Sequence, residues 1–268
     1  MRRESLGVAL LAILGILVAC TSDDTATNVG TGPGNDGGPT TSEGGADASD
    51  PGDSAATDAP GPADAADAAI CTPPGAPIVV FLDKAGGMWT PGADDSRTNV
   101  SSILNQATTI PAWGVAPASW AALMACVAQK FKPFNINVTD VDPGAAAHIE
   151  VVFAPGNLAL FSGGGANSPS TCAVIPDSVA YVSTTYADAN LDNGCAAAAS
   201  VVGFSLGLES VTACPDAMSN LQASCATAGF TNVALACGTT AAAACTCQAG
   251  STQNSFARLL AMAGPACL

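Results

Sequence analysis

The chain has 268 residues, 49% of them hydrophobic, enough to bury one substantial core. Lys and Arg number 7 against 22 Asp and Glu, a formal net charge of −15. With no basic stripe to release counterions from a phosphate backbone, nucleic acid is excluded as an expected partner.

Arg2 and Arg3 open a basic n-region, and the apolar stretch from Leu6 to Ala19 is shorter than the roughly 18 to 20 residues a bilayer-spanning helix needs. Residues 1–19 therefore read as a signal peptide. Leu17-Val18-Ala19-Cys20 resembles the bacterial lipobox, which implies that Cys20 is acylated and holds the chain to a lipid bilayer. Thr21 carries no acidic retention mark, which favours the outer membrane or cell surface. Residues 21–70 are rich in Gly, Pro, Ser, Thr and Ala, with nine Asp, one Glu and no Lys or Arg. Such a segment cannot offset its ordering entropy by burial. Residues 20–70 are thus expected to be a lipidated Cys followed by a disordered tether, spanning on the order of 40 Å.

Residues 71–268 are the expected folded domain. They carry ten cysteines: Cys71, Cys126, Cys172, Cys195, Cys214, Cys225, Cys237, Cys245, Cys247 and Cys267. In an exported domain this even number reads as up to five disulfides whose pairing spacing alone does not reveal. Cys245-Thr246-Cys247 lacks the matching second pair of a thiolate metal site, so disulfides are the expected use.

In chain order, Ile78 to Asp83 is an apolar run suited to a buried strand. Pro117 to Phe131 places Trp120, Leu123, Met124, Val127 and Phe131 on one helical face. Strands are expected over Asn135 to Val141, Ala147 to Ala154 and Val179 to Thr184, with Gly163-Gly164-Gly165 marking a loop. His148 is expected on the solvent side of its strand, in a structural role, and Asp140 and Asp142 in a turn before Pro143. Asp188 to Asp192 has the first half of a calcium loop but neither its glycine nor its glutamate. It reads as a polar loop, with structural calcium left open but unsupported. Helices are expected over Cys195 to Glu209 and Thr252 to Ala263. The order β, α, β, β, β, α, α supports an α+β domain.

Gly203-Phe204-Ser205-Leu206-Gly207 matches G-x-S-x-G, in which a strand-to-helix turn exposes a nucleophilic serine. No histidine follows Ser205, and the Ala-rich segment before it reads as helix. A serine hydrolase at Ser205 is the weaker reading.

The run from Ser200 to Ser210 has the frame of H-E-x-x-H-x-x-G-x-x-H, with Ser200, Val201, Phe204, Gly207 and Ser210 at its five defining places. Leu206-Gly207-Leu208-Glu209 is similar to the usual ending of that helix, and Cys214 to Ser219, with Met218, looks like the methionine turn below the metal. Gly86 to Gly92, Asp94 to Arg97, Phe134 to Pro143 and Ser251 to Ser255 add to the likeness. On these residues the chain, over roughly 78–268, resembles the matrixin-like metzincin metalloproteases of myxobacteria, degenerate at the active site. The resemblance implies a metzincin-like zincin domain: a mixed twisted sheet with packed helices, rich in disulfides.

What stands at the vestigial positions argues against the family's chemistry. Zinc there needs three imidazoles, and the whole chain contains one histidine, His148. Val201 cannot take a proton, and Phe204 offers no donor. The expectation is no catalytic residue, no zinc and no cofactor, with Val201 and Phe204 packed against neighbours. What remains is binding of an extracellular or periplasmic peptide or protein along an edge strand. The alternative is a purely structural envelope lipoprotein, and residual metallopeptidase activity is the less favoured third class.

Overall fold

The central strand Ile149–Ala154 is buried along its whole length, because both faces of the sheet it belongs to are covered. The computed structural model describes residues 75–161, 164–214, 216–220 and 229–267. Cys20, Cys71 and Cys225, the signal peptide and the tether lie outside the described residues.

The main sheet is built from β1 (Ile78–Asp83), β5 (Ile136–Thr139), β6 (Ile149–Ala154), β7 (Ala166–Asn167) and β8 (Val179–Ser183), in the order β5-β1-β6-β8-β7. The first four in that order run parallel, and β7 pairs antiparallel with β8 at the edge. Alternation along the strands sends Val80, Leu82, Val151, Phe153 and Val182 to one face, where α1 (Pro117–Phe131) and α3 (Leu191–Ser205) pack. The opposite face carries Val152, Ala154, Val179 and Tyr181. It is covered by Trp89 and Ile110 of a small sheet of β3 (Val100–Ser101), β2 (Gly87–Pro91) and β4 (Thr108–Ile110), in that order. The domain is mixed α+β.

α1 starts on Pro117, where the missing N–H costs nothing, and buries Trp120, Leu123, Val127 and Phe131. α3 is buried nearly all round, as an Ala-rich helix inside a small domain must be. Its small residues let neighbours close in: a Cβ on Gly194 would lie 2.7 Å from Ala187 Cβ and 3.1 Å from Leu123 Cδ1. Cys126–Cys195 joins α1 to α3, Cys172–Cys247 joins the segment after β7 to the C-terminal region, and Cys237–Cys245 closes a short loop. Cys214 and Cys267 are also disulfide-bonded. Among the described residues, no helix is long and apolar enough to cross a membrane.

Several expected elements are corrected. α3 begins at Leu191 because Asn190 accepts from Asp192 N at 2.9 Å, and it ends at Ser205 rather than Glu209. The stretch from Asp188 to Asp192 is not an open loop: Asp188 belongs to α2 (Thr184–Ala189), and Asn190 caps the next helix. Thr252–Gln253 forms β10, paired antiparallel with β9 (Leu235–Ala236), before α4 (Ser255–Ala263) starts on the Asn254 cap. His148 is 2% exposed rather than on a solvent face. Its Nδ1 sits 2.8 Å from Ala146 O, Ser96 Oγ donates to its carbonyl at 2.6 Å, and its ring meets Phe81 edge-on. Asp140 lies in a bend and accepts from Trp120 Nε1, and Asp142, in the irregular segment just after it, accepts from Gly144 N.

Candidate functional site

A cavity of about 560 Å³ opens between the free edge of the main sheet and the C-terminal half of α3. One wall is the segment Gly164–Ser168, which contains β7, and the other presents Ser200, Val201 and Phe204. Ser210 and the segment Met218–Asn220 complete it, with Tyr186 beside the glycines. Ser200, Val201, Phe204, Ser210 and Met218 therefore converge on one space, although they span three chain segments. Gly207 does not line it.

Gly207 has a different task. It sits at φ 80°, its N–H reaches Phe204 O at 2.9 Å, and Leu208 N reaches Gly203 O at 2.9 Å, the double closure of a Schellman turn. A Cβ there would stand 3.0 Å from the Cys172 backbone. Only glycine both reverses the chain and admits that segment. The turn redirects the backbone so that Ser210 returns to the cavity.

The floor is Met218, 1% exposed and packed against Gly203, where a Cβ would collide with its sulfur. Its backbone is fixed by Met218 N to Asp216 Oδ1 at 2.8 Å and Val211 N to Met218 O at 3.1 Å. Asp216 Oδ2 also accepts from Thr231 N at 2.9 Å, Thr231 Oγ1 at 2.7 Å and Ser255 Oγ. The buried carboxylate thus ties the turn at Met218 to α4.

Glu209 is spent the same way. Its Oε2 accepts from Thr246 N at 2.7 Å and its Oε1 from Cys247 N at 3.1 Å, while Gln253 clamps its backbone N–H and C=O. Glu209, Cys237 and Cys245 lie close enough together to suggest a metal cluster. Both sulfurs, however, belong to the Cys237–Cys245 disulfide, and thiolates are what a metal would need. The residues present do not fit an ion.

Val201 is buried and Phe204, partly buried, packs against the core, as expected, while Phe204 also lines the cavity. Ser205 is fully buried, inside the last turn of α3 and not at a strand-to-helix turn. Its Oγ donates to Val201 O at 3.1 Å, and Ser168 Oγ lies 3.0 Å from the same carbonyl. That hydroxyl is a helix-turn bond, without the exposure a nucleophile needs. His148 is not among the cavity residues.

Sequence reasoning missed Ala166, Asn167, Ser168, Ser170, Tyr186 and Asn220, six of the fourteen residues that line the cavity. No charged side chain lines the cavity among the described residues. The arrangement can offer hydroxyl and amide hydrogen bonds, two aromatic faces and, among the described residues, a strand edge with no further strand on it. The chain matches no protein-family model and no curated protein.

Proposed function

We propose that this chain is a surface-anchored lipoprotein whose folded domain keeps a metzincin-like groove without its chemistry and uses it to bind an extended peptide or protein segment. The observation that carries the reading is the convergence of Ser200, Phe204, Ser210 and Met218 on one open cavity beside an antiparallel edge strand. An edge strand binds extended backbone by main-chain hydrogen bonds that need no metal. The lipobox-like Leu17-Val18-Ala19-Cys20 supports the anchor.

Peptide display against the purified folded chain in the presence of a chelator tests the binding function. Selected peptides should bind at micromolar affinity, and at least tenfold more weakly to Ser170→Trp, which fills the groove from an exposed position. A selection that yields no groove-dependent peptide favours the purely structural lipoprotein instead.

The metzincin-like frame has its own test. In the triple variant Ser200→His, Phe204→His, Ser210→His, two imidazoles stand one helical turn apart and the third follows the glycine turn, a three-nitrogen set suited to zinc. Elemental analysis should find about one zinc per folded triple-variant chain and none in the wild type. A folded variant that takes up no zinc sinks the frame.

A further inference from the structure

The free edge of β7 separates two cavities that lie on opposite faces of the main sheet. The second, about 430 Å³, is walled by Ile103, Leu104, Leu158 and Leu160, with Asn167 shared between it and the first. Ile103, Leu158 and Leu160 are only half-buried there. Ala166 stands opposite Val182, whose side chain faces the helices, whereas Asn167 stands opposite Tyr181, which faces the small sheet.

The ladder geometry shows which groups of β7 face away from β8, where the described residues place no further strand. Ser183 N donates to Gly165 O at 2.8 Å, so Ala166 and Val182 form a non-hydrogen-bonded pair. The N–H and C=O of Ala166 therefore point away from β8, toward the open side. Asn167 Nδ2 donates to Leu160 O at 2.7 Å and holds the wall of the second cavity against the strand.

We propose that the groove's ligand is an uncharged extended segment in which two adjacent residues are apolar, one filling each cavity. This rests on the peptide-binding reading above. A strand added at Ala166 would alternate its side chains between the two faces of the sheet. Neighbouring residues, rather than residues two apart, would then reach the Phe204 cavity and the Leu160 cavity. Neither cavity has a charged lining residue among the described residues, so a buried ionic side chain would lose its hydration without a partner.

Fluorescence anisotropy with labelled, end-blocked hexapeptides of Gly and Ser tests this. One peptide carries Leu-Phe adjacent, a second separates the pair by one Gly, and a third replaces the Leu by Lys. The adjacent pair should bind at least tenfold more tightly than either of the others, and Leu160→Asp should erase that advantage. N-methylation of the amide between Leu and Phe, which blocks pairing without touching the protein, should weaken binding by a similar factor. Binding that is abolished by Ser170→Trp but indifferent to pair spacing and to Leu160→Asp overturns this inference and leaves the groove reading standing. No binding of any of the peptides, with display also negative, overturns both.

Discussion

The domain is expected to lose stability as pH rises from about 5 to above 8, with Glu150 as the main cause. Glu150 lies in the middle of the main sheet, on the face toward the small sheet, and is 4% exposed. Burial, then the nearby Asp83 carboxyl, pushes its pKa up from 4.5 to about 8. The indole N–H of Trp89 opposes the shift without reaching hydrogen-bond geometry, and Asp142 adds to it. Tyr181, from β8, faces the same space with its own pKa raised by burial, and Asp83 is likewise raised, again chiefly by burial. A raised folded-state pKa means that the native protein holds a proton that the unfolded chain releases. The stabilisation is complete below the unfolded value and is lost progressively as pH climbs to the folded one. At 1.36 kcal/mol per unit the loss is at most about 5 kcal/mol. Glu150→Gln keeps the shape and removes the titration. Urea midpoints at pH 5 and 8.5 should show the variant more stable than wild type by about 1 to 3 kcal/mol at the higher pH. At pH 5 the two should nearly coincide. A wild-type midpoint that does not fall between these pH values would refute the assignment.

The same residue shows how far the sequence could be read. β1, α1, β6 and β8 were legible because each is long enough to declare a period or an unbroken apolar run. The second face of the sheet was not. Its cover consists of strands of two to five residues containing Gly and Pro, which exist through pairing rather than propensity. Without that cover in view, His148 read as solvent-facing and nothing marked Glu150 as buried on both sides. α3 was found but displaced, since the Asn190 cap and the Gly207 turn fix its ends more firmly than its Ala-rich interior does. In the candidate site, Ser200, Val201, Phe204 and Ser210 were singled out from spacing because they sit on one helix and the turn after it. The opposite wall was not, because β7 has two residues and is defined by its partner β8.

Asp216→Asn should cost about 3 to 5 kcal/mol and open the floor of the groove. The carboxylate is 1% exposed and has four donors aimed at it, two backbone N–H groups and two hydroxyls, from the turn at Met218, from Thr231 and from α4. An amide supplies one acceptor oxygen where there were two, and its NH₂ would face donors. At least one buried donor is left unpaired and the charge-assisted bonds are lost. Thr231→Val removes only one hydroxyl and should cost about 1 kcal/mol, which separates the carboxylate's role from general packing in this region. The damage should also be directional. Met218 reaches the cavity only while its N–H is held by Asp216 Oδ1, so a folded remnant of Asp216→Asn should bind groove peptides at least tenfold more weakly. Glu150→Gln, which lines neither cavity, should bind them normally. Denaturant midpoints and peptide titrations on the three variants decide it. If Asp216→Asn folds within about 1 kcal/mol of wild type, this carboxylate is not what holds the turn. If it unfolds easily yet binds with full affinity when folded, Met218 is not part of the binding floor.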